Sequence, residues 1–437
     1  MRRIFISSLA ISFFAVLALL AGSAPARAKG DEMPPVIRDA EMERTLREYT
    51  IPIFKAAGLD PLAVRIYILQ SDQINAFVAG GENLFIYTGL LVRTQRPGQL
   101  IGVVAHESGH IAGGHLVRAQ QEMSDAPIQT LIGAVLSGQV LLRYTRVIEA
   151  SADAAALGFL DKLHWSASGM AEFLRILLVQ ENITYGHLDP YLINHPLTRD
   201  RIDVVEQHIA QSPWSNVPDP PDWVRQHNRM VAKLVGFLWP FQQVMIKYPL
   251  SDNSVPARYA RAIAYWRAGD INTGISMMNQ LTTEFPNDAY FWEQKGQILF
   301  DAARGPDAID AYSRAARLAP DEPLISMELA NVQIEQEDPT LLPAAIVELK
   351  DVLRTESRDP DPWRMLGIAY GRSGQIGLAT WALAESSAAA GNDKEARQRA
   401  SQAMKQLPMG SPEWLRSQDI FTAPKPPDDK SSGGISG

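Results

Sequence analysis

Apolar and polar positions divide this chain into an N-terminal apolar run, a mixed region with short strands and helices, and a long helical array. Residues 4 to 22 are almost continuously apolar. From 37 to 58 apolar side chains recur at helical spacing and predict an amphipathic helix, whereas LAVRIYILQ at 62 to 70 predicts a strand. NAFVA and LFIYT flank Gly80-Gly81-Glu82-Asn83, the signature of a hairpin. Two further stretches, VVAHESGHIAGGH and RYTRVIEASADAAALGFL, read as helices. Proline and tryptophan then cluster in SPWSNVPDPPDW, residues 212 to 223, which predicts a domain boundary.

Beyond that boundary the pattern repeats. Trp292, Gly296, Ala308, Tyr312, Ala315 and Pro320 occupy places 4, 8, 20, 24, 27 and 32 of a 34-residue tetratricopeptide frame. Trp363, Leu366, Gly367, Tyr370 and Ala379 fit a later unit, and an insertion near EDPTLLP, residues 337 to 343, breaks the register between the two. About four helix pairs are expected between 253 and 406, presenting a concave surface for partners; the plainer alternative is a helical bundle. The tail, residues 422 to 437, has the composition of a disordered end.

The candidate chemistry sits on the two helices of the middle region. His106, Glu107 and His110 form H-E-x-x-H, and residues four apart share one helix face, so both imidazoles can reach one metal ion while Glu107 stands beside it to handle a proton. Catalytic zinc takes three protein ligands and keeps a fourth position open, so a third donor is needed. Glu149 and Asp153, again four apart, supply it: Glu149 is assigned as the ligand and Asp153 as the acceptor for a ligand histidine's second N–H. The small residues Ala150, Ser151, Ala152, Ala154, Ala155 and Ala156 would let the two helices approach closely; a solvated alanine-rich helix is the alternative. His115 falls one residue short of the third histidine in H-E-x-x-H-x-x-G-x-x-H, and one residue is about 100° of helix rotation, so it is expected to point away from the metal.

Charge and the N-terminus narrow the setting. Arg2, Arg3, the apolar run and Ala26-Arg27-Ala28 predict an export signal over 1 to 28, with an uncleaved membrane anchor as the alternative. The full chain carries 41 Lys+Arg against 49 Asp+Glu, and losing three arginines with the signal leaves a net charge of about −11, which argues against a nucleic-acid partner. With no cysteine there is neither a disulfide framework nor a lipoprotein anchor. Ile128 to Leu142 is short for a membrane span and is expected to be a lid or core helix, so any membrane contact is at the surface and not spanning.

These residues resemble the family of zinc metalloproteases that includes the heat-shock protease HtpX and the CaaX prenyl proteases. The resemblance rests on His106, Glu107, His110, the pair Glu149 and Asp153, the hairpin segment 75 to 91, and Asn194-His195-Pro196-Leu197-Thr198-Arg199-Asp200-Arg201-Ile202. From about 35 to 420 the layout is similar to the periplasmic branch that carries tetratricopeptide repeats behind its catalytic domain. Three features depart from the family pattern: Ser151 and Asn194 stand where glutamate and threonine are common, and the segment between the metal helices is short. The expected fold is therefore mainly α. It comprises a zinc protease domain of helices with a small β-sheet over 29 to 211, a linker and connecting helix over 212 to 252, an α-solenoid over 253 to 421, and the tail.

One Zn2+ per chain, held by His106, His110 and Glu149, is expected to polarise the scissile carbonyl, with Glu107 passing water's proton to the leaving amine. The resemblance implies a further catalytic role for His195 and Arg201. His195 is left with two alternatives, filling the open zinc position at rest or hydrogen-bonding the oxyanion; a plain turn at His195-Pro196 and an ordinary ion pair at Arg201 is the structural alternative. The hairpin's edge strand could pair with an extended substrate. Implied partners are unfolded or misassembled envelope proteins in the periplasm, with outer-membrane assembly machinery at the repeats. Two other functions stay open: an exported scaffold or chaperone with a latent zinc domain, and a zinc hydrolase acting on cell-wall peptides.

Overall fold

The computed structural model describes residues 34–114, 146–183, 195, 199–336 and 338–423. The expected signal, His115, the apolar stretch from Ile128 to Leu142 and the tail from residue 424 lie outside them. The described residues form 18 helices and one sheet of four strands, a mainly α architecture as the pattern predicts. None of these helices is long and apolar enough to cross a membrane.

The N-terminal region begins with β1 (Val36–Ile37) and α1 (Ala40–Ala56), whose start is capped by Asp39 accepting from the Met42 amide at 2.9 Å. Met42, Leu46, Tyr49 and Ile53 recur at helical spacing along α1 and are buried, which is the face the sequence pattern marks. β2 (Arg65–Leu69), β3 (Ala76–Ala79) and β4 (Asn83–Tyr87) follow. Gly80 and Gly81, at φ +56° and +85°, turn the β3–β4 hairpin through the left-handed region that side chains disfavour. The sheet order is β1-β2-β4-β3, with β4 parallel to β2 and the hairpin's first strand at the edge.

Behind the sheet, α2 (Thr88–Arg93) leads into α3 (Pro97–Ala112), which starts on Pro97 and is buried from Pro97 to His110. A helix this apolar on every side belongs in the middle of a domain. It crosses α4 (Arg146–Lys162) and α5 (Ser168–Ile183) through small residues. A Cβ on Gly109 would lie 2.7 Å from the Ala152 carbonyl oxygen, and one on Gly102 would lie 2.7 Å from the Met170 Cα. The chain returns past His195 into α6 (Arg199–Gln211).

The proline- and tryptophan-rich stretch ends in α7 (Pro221–Leu238), followed by α8 (Phe241–Lys247). α7 is more than a connector: its Met230 and Leu234 join the core that holds Leu46, Leu100 and Val104, and Trp223 packs 5.0 Å from the Tyr49 ring. Ten further helices pair as Val255–Arg267 with Ile271–Glu284, Ala289–Asp301 with Gly305–Leu318, Pro323–Glu335 with Leu342–Val352, Pro360–Arg372 with Ile376–Ala389, and Asp393–Met404 with Pro412–Thr422. The last pair reaches beyond the four expected between 253 and 406. The repeat signature has a packing reason: a Cβ on Gly296 would sit 2.7 Å from the Tyr312 ring.

Buried charge locks the repeats to the N-terminal region. Lys233 of α7 is 2% exposed, yet it lies 2.7 Å from Asp39, 3.6 Å from Glu41 and 3.7 Å from Glu293 of the second repeat. Burial opposes its charge, but the surrounding carboxylates prevail and raise its pKa well above the usual lysine value. Arg38 pairs with Glu43, Glu356 and Asp359, tying the start of the chain's described part to the fourth repeat. Ala40 packs with Ala289 and Leu324, so the start of α1 is seated against the repeat helices.

Candidate metal centre

Four side chains from three parts of the chain converge under α3. His106 and His110 lie one turn apart on α3, Glu149 comes from the first turn of α4, and His195 arrives from the return toward α6. One ligand atom from each lies within 4.8 Å of the others, and all four side chains are buried. His106 Nε2 is 3.1 Å from His110 Nε2, 3.3 Å from His195 Nδ1 and 3.4 Å from Glu149 Oε2. Glu149 Oε1 is 3.2 Å from His110 Nε2 and 3.1 Å from His195 Nδ1.

These separations can be compared with what a metal requires. Ligands about 2.1 Å from a tetrahedral ion stand roughly 3.4 Å apart, close to the edges measured here. The charge also fits: Glu107, Glu149 and Asp153 are three buried carboxylates against one buried guanidinium, Arg201, which leaves two negative charges when all are ionised. A divalent cation balances them; without one, His106 takes up a proton in its place. Glu107 adds a third indication, because neither of its carboxylate oxygens has a hydrogen-bond partner among the described residues, although the side chain is fully buried. His195 Nε2 stands 3.4 Å from its Oε1.

Asp153 and Arg201 support the cluster from behind. His106 Nδ1 is 2.8 Å from Asp153 Oδ1, and since a carboxylate only accepts, the imidazole donates from Nδ1 and turns Nε2 toward the centre. Arg201, on the first turn of α6, donates from Nε at 2.6 Å and Nη2 at 2.9 Å to Asp153 and places Nη1 2.7 Å from Glu149 Oε2. One guanidinium therefore holds both α4 carboxylates.

Electrostatics follow this crowding. Burial disfavours a charged His106, but hydrogen bonds and charges from Asp153 and Glu149 outweigh it and raise its pKa to about 9. His110 moves the other way, to about 3, chiefly through burial, with Glu149 opposing. Burial would raise Asp153, yet His106 and Arg201 bring it down to about 2; Glu149 is lowered for the same kind of reason by its three histidine contacts. Glu107 is raised, mainly by burial.

The expected site residues His106, Glu107, His110, Glu149, Asp153, His195 and Arg201 thus meet in one buried locus, while His115 lies outside the described residues. Gly109 is the position the motif did not flag. Its missing side chain lets the α4 backbone come within reach of the two histidines, and the only sequence sign was a glycine inside HESGH.

Two family models match separate parts of the chain. Residues 37–209 match the model of Peptidase family M48, and residues 259–323 match a tetratricopeptide repeat model. The fold and the site define a metalloprotease whose catalytic domain is similar to Peptidase family M48 and is followed by tetratricopeptide repeats. More particularly, the chain is similar to the beta-barrel assembly-enhancing proteases. That of Yersinia pestis is 24% identical over 376 residues, covering 80% of this chain and 76% of the relative. That of Escherichia coli K12 is 22% identical over 412 residues, covering 87% and 82%. The mitochondrial metalloendopeptidase OMA1 of Schizosaccharomyces pombe matches over 197 residues at 22% identity, 42% of this chain and 57% of that one.

Proposed function

We propose that this protein is an exported zinc endopeptidase of the periplasm that removes misfolded or stalled envelope proteins, with the repeats holding substrate or assembly partners. The observation that carries the reading is the convergence of three imidazole nitrogens and the Glu149 carboxylate beside the buried carboxylate of Glu107. In this proposal His106, His110 and Glu149 hold the zinc ion. When bound, zinc supplies Lewis acidity that polarises a peptide carbonyl and acidifies water.

The chain's own groups do the rest. Glu107 takes a proton from the attacking water and returns it to the leaving amine, a task suited to a carboxylate whose proton affinity burial has raised. Asp153 fixes the orientation of His106, and Arg201 is a positioning residue that holds Asp153 and Glu149 together. β3 lies at the sheet edge, but all four of its residues are buried, so the substrate pairing expected of that edge is not part of this proposal. The names of the relatives support β-barrel assembly as the setting, and outer-membrane assembly machinery as the partner of the repeats is part of this proposal. The signal segment over 1 to 28 is part of this proposal, and so are the domain limits 29 to 211 and 253 to 421.

The test is Glu107→Gln. Hydrolysis of an unfolded protein should be abolished while about one zinc per chain remains, because Glu107 is a base and not a ligand. Zinc loss from that variant refutes the assignment of roles. A second reading, a repeat-based chaperone with a latent metal domain, is favoured by one observation: His195 Nδ1 occupies a corner of the cluster where water would otherwise sit. Retention of the cellular phenotype in Glu107→Gln would support it.

A further inference from the structure

The joint between the repeats and the N-terminal region holds more carboxylates than cations. Lys233 and Arg229 of α7 supply the positive charge. Facing them are Asp39 and Glu41 from the start of α1, and Asp288 and Glu293 from the second repeat. Three of these acids are well served. Asp39 lies 2.7 Å from the Lys233 ammonium and also caps α1. Glu41 lies 2.7 Å from Arg229 and accepts from the Tyr259 hydroxyl at 3.1 Å. Asp288 pairs with Arg229 and accepts from the amides of Tyr290 and Phe291 at the start of its helix.

Glu293 is the acid left over. The Lys233 ammonium stands 3.7 Å from it, beyond hydrogen-bonding reach, and its Oε2 is buried with no hydrogen-bond partner among the described residues. Its other neighbours do not relieve it. Glu328 of the third repeat adds negative charge, while Tyr259, Tyr290 and Tyr312 are phenols that burial keeps neutral. A buried carboxylate without a cation of its own is accommodated by a proton. Burial, joined by Asp39, Glu41 and Glu328, raises its pKa to about 8 against the pull of Lys233. The same joint covers repeat surface, because Ala40 shares a core with Ala289, Leu324 and Met327.

We propose that Glu293 is a proton-operated latch: protonated, it lets the repeats stay shut on α1 and α7, and opening the joint hands its proton to water. Acid therefore tightens the joint. Glu293 titrates near 8 when shut and at an ordinary glutamate's 4.5 or so when opened to solvent. The tightening is complete below about pH 4.5 and is lost as pH rises to about 8. Between those limits one proton makes the opening equilibrium rise about tenfold per pH unit, and above 8 it levels off. Opening uncovers Ala289, Leu324 and Met327, so the latch sets how much of the repeat surface is within a partner's reach. It needs neither zinc nor the protease reading.

Hydrogen exchange of the full chain from pH 5.5 to 9, corrected for the intrinsic effect of pH on exchange, measures the opening. In the wild type, amides of residues 40 to 46 and 289 to 299 should lose about seventyfold in protection between pH 5.5 and 7.5, and those of α5 much less. Glu293→Gln has the shape of the protonated acid and no proton to release, so the joint's profile should become flat. Asp39→Asn keeps a cap on α1 but frees Lys233 for Glu293, and its profile should level off at lower pH than the wild type's. A wild-type joint indifferent to pH, a Glu293→Gln profile as steep as the wild type's, or an equal loss of protection in α5 overturns the proposal. So does an unmoved levelling point in Asp39→Asn.

Discussion

Gly109→Ala tests whether one helix crossing sets the metal centre. In an ordinary helix interior this change stabilises by about 1 kcal/mol, because alanine loses less backbone entropy than glycine. Here the new Cβ would lie 2.7 Å from the Ala152 carbonyl oxygen, 3.0 Å from its Cα and 3.3 Å from its carbonyl carbon. All three are backbone atoms, so no side-chain rotation relieves the clash. α4 must retreat by roughly 0.7 Å to reach normal contact, and overpacking of this kind costs about 1–3 kcal/mol, enough to cancel or exceed the helical gain.

The metal is the more sensitive reporter. Glu149 and Asp153 flank Ala152 on α4 and move with it, and a retreat of roughly 0.7 Å is several times the tolerance of about 0.2 Å in metal–ligand distances. Zinc affinity should fall at least about tenfold, on the scale of losing a supporting contact. Chelator competition against the wild type measures this, with thermal melting run alongside. Gly158→Ala is the internal control: it sits on the same α4, exposed, with nothing within 4 Å of a new Cβ. It should raise stability by up to about 1 kcal/mol and leave zinc unchanged. If Gly109→Ala behaves like Gly158→Ala, the crossing does not control the site and the reasoning fails.

Glu149→Ala should lose zinc or bind it far more weakly, whereas His115→Ala should keep it; metal analysis of the two variants with reversed outcomes would move the third ligand to His115. His195→Ala, compared with wild type at matched zinc content, should raise basal cleavage of an unfolded substrate if the imidazole at the fourth corner inhibits the resting enzyme. A fall of about a hundred- to a thousand-fold would instead identify His195 as an oxyanion donor, worth about 2.7–4 kcal/mol. Burial raises the Glu348 carboxyl to about 7, against a hydrogen bond from Gln333. Because its folded pKa lies above the unfolded one, its protonated form favours the fold below about pH 4.5 and that contribution is lost as pH rises through 7. Glu348→Gln should therefore gain stability relative to wild type as denaturation curves move from pH 4 to pH 8, and a constant difference would refute the assignment.

By itself the sequence determined what depends on neighbours along the chain. Helical spacing places His106 beside His110 and Glu149 beside Asp153 whatever the tertiary fold, so both faces of the centre are legible in the order of residues alone. The α1 pattern, the strand at 65 to 69 and the Gly80-Gly81 turn are equally local, and the repeat frame is legible because Gly296 and Tyr312 meet within one helix pair. Periodicity reports that a face is buried, but not what buries it. Only the tertiary structure inserted β4 between β2 and β3, brought Met230 and Leu234 of α7 into the catalytic core, and set Arg38 against Glu356, 318 residues away. It alone put Arg201 across Glu149 and Asp153 and brought Glu293 beside Lys233. Those pairings depend on the path of the whole chain, because contacts distant in sequence form only where the packed helices happen to bring them together.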